Sequence, residues 1–265
     1  SGGDGAPGWT LEAAGFDMCN FKETGAAIVH QTHGDPFPRM VWPTNAYKLA
    51  AATMFTLFFA GNDFAPKTKV NGIPIQEYLQ DHYFNAMKKV AKKLRSLDCV
   101  MGFDTLNEPQ RGYLGVKDLR PLYGVLDVGI VPTPWQSIQL GAGYPQIVKQ
   151  LERTVFGTVN KGTVTLNKEK RSAWLPDREC VWKQNGVWNL DQAGNPVLLK
   201  PDYFYKVKER EVDFNRDYLI PFMKRMISAI RSVKPDWIGF IESDVNNYPP
   251  HWQEAADQNF VNVPH

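Results

Sequence analysis

The sequence predicts an α/β fold built on a parallel sheet, from three observations. Short apolar runs at 99–103, 237–241 and 260–263 read as buried strands, two of them directly after helical patterns. Helix and strand alternate along the chain, which favours parallel pairing. Each run is also followed by polar side chains: Asn107-Glu108, Glu242 and His265. Barrels of the triosephosphate isomerase type carry their chemistry at that end of the strands. A doubly wound sheet would do the same, but no Gly-rich phosphate loop follows any of the three strands.

The helices that feed these strands can be read from their spacing. Ala46, Leu49, Ala50, Met54, Leu57 and Phe58 recur at helical intervals after Asn45, with Gly61 as the expected stop. A second stripe after Pro74 comprises Ile75, Tyr78, Leu79, Ala86, Met87, Val90 and Leu94. Its opposite face carries Lys88, Lys89, Lys92 and Lys93 and reads as solvated. The third stripe is Tyr218, Leu219, Phe222, Met226, Ala229, Ile230 and Val233, with Pro221 expected to kink its early part. Residues 1–44 read as loop. Residues 110–213 read as a long irregular stretch with turns at Asn185-Gly186 and Ala193-Gly194-Asn195. Loops of that length are uncommon without a role, so 112–201 is expected to form a lid or a cleft wall.

Composition narrows the function. The 265 residues carry 30 Lys and Arg against 28 Asp and Glu, a formal net charge of +2, which gives no global attraction to nucleic acid. With 43% hydrophobic residues the chain is neither disordered nor fibrous, and its length suits a single α/β barrel. No run of 18 apolar residues exists to cross a membrane. Three dispersed cysteines, Cys19, Cys99 and Cys180, argue for a reducing compartment or unpaired buried thiols. An intracellular setting, cytoplasmic or vacuolar, is expected. The opening Ser-Gly-Gly-Asp-Gly, without Met, reads as a cut inside a longer polypeptide.

The element richest in chemistry is Asn107-Glu108-Pro109. Adjacent side chains on a strand point to opposite faces, so both can reach one cleft only if the chain leaves the sheet there. Pro109 disfavours helix at Glu108 and is expected to hold it extended over the strand end. A carboxyl against an apolar rim can keep its proton long enough to give it to a leaving oxygen. A neighbouring amide can hydrogen-bond a sugar hydroxyl in the transition state. The tripeptide alone fits a plain strand-end turn with an exposed glutamate better.

Its context is more specific. Gly102-Phe103-Asp104-Thr105-Leu106-Asn107-Glu108-Pro109, followed by Gly112-Tyr113-Leu114-Gly115 and Asp118-Leu119, resembles glycoside hydrolase family five. The branch it resembles is the fungal group related to endoglycoceramidase, which includes β-glucocerebrosidases and steryl-β-glucosidases. Further similar segments are Gly5-Ala6-Pro7-Gly8-Trp9-Thr10, 59–66, 132–136, 173–176 and Asn262-Val263-Pro264-His265. The resemblance implies a (β/α)8 barrel, here incomplete and running from the loop after the third strand through the sixth. It also implies retaining chemistry without cofactor or metal.

On that resemblance Glu108 is the general acid/base, Asn107 contacts the sugar 2-hydroxyl, and His265 lines the sugar subsite. Glu242, ending the fifth strand, lines the cleft or ion-pairs within it. Retaining hydrolysis needs a second carboxylate about 5–5.5 Å from the first. The family supplies it as a glutamate ending the seventh strand, after His265, so the chain alone is expected to be inactive. Trp135 and Trp174 are expected to line the substrate cleft, and 112–201 to wall the aglycone. A glucosylated lipid or sterol is the expected substrate, with peripheral membrane contact made through it. The alternatives are an endoglycoceramidase or glucan hydrolase of the same family, or a glycolipid or carbohydrate binder without catalysis. His30 and His33 form an H-x-x-H pair in a Gly/Pro loop, where surface or cleft histidines are expected rather than metal ligands. His251-Trp252 reads as cleft wall or simple packing.

Overall fold

A computed structural model describes residues 6–38, 40–41, 43–124, 126–155, 157–244 and 259–263. His265, Trp42, His251 and Trp252 lie outside the described residues.

Three strands form the parallel sheet: β1 (Gly102–Asp104), β7 (Ile238–Ile241) and β8 (Phe260–Asn262), in the order β8-β7-β1. Register pairs Phe240 with Asp104 on one side and with Val261 on the other. The expected parallel pairing is present, with strands one or two residues shorter than the apolar runs suggest. Gly102 faces Ile238 so closely that a Cβ there would lie 1.9 Å from the Ile238 carbonyl oxygen.

Helix α1 (Leu49–Phe64) is buried on nearly every side, as its apolar sequence requires. It kinks at Ala60, whose φ of −136° and ψ of 23° are non-helical, one residue before the expected stop at Gly61, and then resumes to Phe64. A Cβ at Gly61 would come within 3.0 Å of Ile75 Cγ2, so the glycine serves the close approach of the next helix. That helix, α2 (Ile75–Leu94), buries Ile75, Leu79, Phe84 and Ala91, while Ala86 and Val90 face solvent. The stripe is rotated from the expected one because Phe84 stacks on Phe222, with ring centroids 5.6 Å apart. Lys89, Lys92 and Lys93 are exposed, as a solvated face requires.

Residues 110–213 are more ordered than their composition suggests. They contain β2 (Gly129–Val131), α3 (Pro134–Gly141), β3 (Gln146–Thr154), β4 (Gly157–Leu166) and the hairpin β5 (Trp188–Leu190) with β6 (Pro196–Leu198). β2, β3 and β4 make a separate antiparallel sheet. α3 starts with a reciprocal capping box between Thr133 and Gln136. The turn at Ala193-Gly194-Asn195 closes the β5–β6 hairpin, with Asp191 Oδ1 accepting from the Ala193 and Asn195 N–H groups. Asn185-Gly186 instead ends the short helix Val181–Gln184. This region shares the core of α1. Trp182 Nε1 donates to Thr53 Oγ1 at 3.1 Å, and the Tyr113 N–H donates to Thr56 Oγ1 at 2.9 Å.

The return to the sheet runs through a π-helical turn (Asn215–Leu219) into α4 (Ile220–Arg231). The irregularity expected from Pro221 takes this form: proline lacks the N–H for the preceding turn, and the wider turn absorbs the loss. α4 lies directly on β7, where a Cβ at Gly239 would meet Ile227 Cδ1 at 2.7 Å. Residues 1–44 are not loop throughout, since Gly8–Ala13, Phe21–Thr24 and His30–His33 are helical. Buried Phe16 and Phe21 hold that segment to the core. No described helix is long and apolar enough to cross a membrane.

Candidate active site

The β1 and β7 C-terminal ends bring Glu108 and Glu242 together. The Glu108 N–H donates to Glu242 Oε2 at 2.7 Å, across 134 residues of sequence. Glu242 follows the last residue of β7 and is only 3% exposed; Glu108 is half-buried and Asn107 exposed. Glu108 departs from the expected extended backbone. Its φ is +46°, in the left-handed region. Proline at 109 does disfavour right-handed helix, as expected. The left-handed alternative costs roughly 1–2 kcal/mol for a residue with a Cβ, and the short bond to a carboxylate offsets part of that.

Asp104, at the end of β1, was present in the sequence motif but without a role. The structure places it against Glu242. Its pKa is pushed up to about 6 by burial, then by the charge of Glu242 and a side-chain hydrogen bond with it. The buried carboxylate beside it makes Asp104 hold its proton more tightly. Below β1, the Tyr83 hydroxyl donates to the Thr105 carbonyl at 2.8 Å, and burial followed by the Asp104 charge raises its pKa to about 12.

A second link crosses the same two loops. Arg111, three residues after Glu108, forms an ion pair and hydrogen bonds with the buried Asp244, two residues after Glu242. Gly112 then turns the chain against α1 with φ +59°, where a Cβ would sit 2.4 Å from the Ala52 carbonyl oxygen. The loop carrying Glu108 is therefore fixed at both its start and its exit. Neither Asp104–Glu242 nor Arg111–Asp244 has a short-range signature, because the partners are more than 130 residues apart.

The tryptophans require a correction. Trp174 is 3% exposed and stacks on Phe16 at 4.3 Å and 19°, so its face is already covered and it is a core residue. Trp135 is half-buried and meets Trp188 edge-to-face at 5.9 Å. Loop aromatics here anchor the inserted region to the shared core and to one another. His30 stacks on Phe37 at 3.8 Å, and His33 Nδ1 lies 3.2 Å from the Val29 backbone. Among the described residues no group of three or more His, Cys, Asp or Glu side chains is placed to hold a metal ion.

The Asp104 shift has a consequence for stability. Its folded pKa lies above the ordinary carboxylate value, so the folded state binds the proton more tightly. The resulting stabilisation is fully present below about pH 4 and is lost as pH rises through about 6. Asp104→Asn is expected to flatten that slope and to raise stability at pH 7 by roughly 1 kcal/mol, after discounting for partial exposure. Urea unfolding at pH 4, 5, 6 and 7 checks this, and an unchanged slope would contradict the raised Asp104 pKa.

No family model matches the chain. Curated proteins do. It is 41% identical to a glucosylceramidase of Rhizopus delemar, over all of this chain and 40% of that protein. It is 35% identical to the ergosteryl-beta-glucosidase of Saccharomyces cerevisiae, over 96% of this chain and 38% of that protein. Among solved structures, sterylglucosidase 1 of Cryptococcus neoformans superposes with a TM-score of 0.90 at 32% identity, over 98% of this chain and 41% of that one. The fold is thus an α/β one shared with a sterylglucosidase structure. The chain is similar along its whole length to fungal glucosylceramidases and steryl-β-glucosidases, and it spans about 40% of the length of the relatives it matches.

Proposed function

We propose that this chain is the acid/base-bearing part of a retaining β-glucosidase that acts on a glucosylated sterol or lipid. In this reading β1, β7 and β8 are three consecutive strands of a (β/α)8 barrel whose other strands lie outside the chain. The observation that carries it is the placement of Glu108: at the C-terminal end of a parallel sheet, with its backbone N–H held by Glu242 at 2.7 Å. This is the end of the sheet where such barrels do their chemistry.

Glu108 gives its proton to the departing glycosidic oxygen and then takes one from the water that hydrolyses the glycosyl-enzyme. Asn107, exposed beside it, steadies the sugar through its 2-hydroxyl, and His265 shapes the sugar pocket. The nucleophile is a carboxylate outside this chain. Glu242 is assigned another role, because its Oε2 accepts the Glu108 N–H and it sits beside the acid rather than across a sugar from it. The lipid or sterol part of the substrate brings the enzyme to a membrane surface.

Full-length protein incubated with ergosteryl β-glucoside and with glucosylceramide is expected to release glucose first formed as the β-anomer, whereas residues 1–265 alone release none. Failure of the full-length protein to cleave either substrate would refute the reading. Turnover by the isolated chain would refute the external nucleophile.

A further inference from the structure

The same strand ends suggest how the proton donor is aimed, an inference that rests on the function proposed above. Glu108 occupies a backbone region that residues with a Cβ avoid, with φ +46°. Such a conformation persists where surrounding contacts over-determine it. Here the contact is specific: a carboxylate oxygen of buried Glu242 accepts the Glu108 N–H at 2.7 Å. The orientation of the Glu108 side chain follows from its backbone, so the carboxylate on β7 sets the direction of the acid on β1.

We propose that Glu242 is a positioning residue that aims Glu108 at the leaving oxygen. The groups that face Glu242 and Asp104 come from every adjoining element. Tyr83 reaches from α2 to the Thr105 carbonyl. Arg111 and Asp244 close the loops above, and Glu108 itself lies across from Glu242. Asp104 is locked to β7 by register, opposite Phe240, whose carbonyl accepts the Thr105 N–H at 2.9 Å. Glu242 thereby receives a fixed neighbour on one side and fixes Glu108 on the other.

A merely structural carboxyl would lower activity evenly when removed. A carboxyl that aims a general acid should matter in proportion to how much the leaving group needs a proton. In the full-length enzyme, Glu242→Ala is expected to lower kcat for an alkyl β-glucoside by about 100-fold, with KM little changed. For 2,4-dinitrophenyl β-glucoside, whose leaving group departs without a proton, the loss in the glycosylation step should stay within about 5-fold. Glu242→Gln should recover most of the loss, because its amide oxygen still accepts the Glu108 N–H.

Equal losses on both substrates, or a Gln variant as damaged as the Ala variant, would overturn the inference. If Glu242→Ala does not fold by circular dichroism, Glu242→Asp takes its place. It keeps the charge but withdraws the oxygen by one methylene, and the same leaving-group contrast is expected at smaller size. Glu108→Gln runs in parallel. A leaving-group contrast in Glu108→Gln without one at residue 242 overturns the positioning role alone, and no contrast in either overturns the glycosidase reading with it.

Discussion

Replacing Glu108 with Gln in the full-length enzyme is expected to lower kcat/KM toward a steryl β-glucoside by about 10²–10⁴-fold. Gln matches Glu in size and leaves the backbone bond from residue 108 to Glu242 Oε2 unaltered. What it removes is the transferable proton. A sterol alkoxide is a poor leaving group, so bond cleavage depends on protonation in the transition state, and the loss should fall on kcat more than on KM. The same variant should retain its melting temperature to within a few degrees, because residue 108 is half-buried and outside the hydrophobic core. A loss of activity accompanied by unfolding would instead assign Glu108 to the scaffold.

The largest effect on stability is expected from Gly102→Ala. The added Cβ would lie 1.9 Å from the Ile238 carbonyl oxygen and 2.7 Å from its carbon. These are backbone atoms of β7, so no side-chain rotation relieves the contact and the strands must separate. Separation threatens the Ile238 N–H bond to the Met101 carbonyl at 2.9 Å and the packing of Phe103 on Trp237, whose rings are 5.0 Å apart. Overpacking and lost strand bonds together should cost on the order of 3 kcal/mol or more. The damage would reach chemistry as well, because β1 and β7 carry Asp104 and Glu242 to each other. Gly194→Ala is the matched control. It meets nothing within 4 Å and has φ +83°, so only its backbone strain counts, about 1 kcal/mol. Urea midpoints of the two variants compare these costs directly, and equal midpoints would refute the close approach of β1 and β7.

The parts legible in the sequence were those governed by short-range periodicity. Ile75, Leu79, Met226 and Ile230 stand at helical spacing, and each faces the core. The three parallel strands showed as apolar runs, but they are less covered than such runs suggest: only β7 buries residues, Gly239 and Ile241, while β1 is half-buried and β8 exposes Val261 and Asn262. The antiparallel sheet at 129–166 did not show. Its strands expose most of their residues, with only Val148 and Leu151 of β3 buried, so the alternation that marks a half-buried strand is almost absent. At the site, Glu108 stood out through its Asn and Pro neighbours. Its left-handed backbone and the Asp104–Glu242 pair did not, since both depend on residues far apart in sequence that meet only when β1 and β7 align. Trp174 misled for a related reason: a loop tryptophan beside Pro and Ala gives no sign that Phe16, some 160 residues earlier, covers its face.

Capture of the glycosyl-enzyme by azide offers the most direct test of Glu108 as acid and base. With 2,4-dinitrophenyl β-glucoside, full-length protein carrying Glu108→Ala should form the intermediate without needing the acid, then stall because no base activates water. Azide needs no such base. Its addition should therefore restore turnover and yield β-glucosyl azide, identifiable by proton NMR. Failure of azide to accelerate the variant, or an α-configured product, would contradict the assignment of Glu108 as the acid/base of a retaining enzyme.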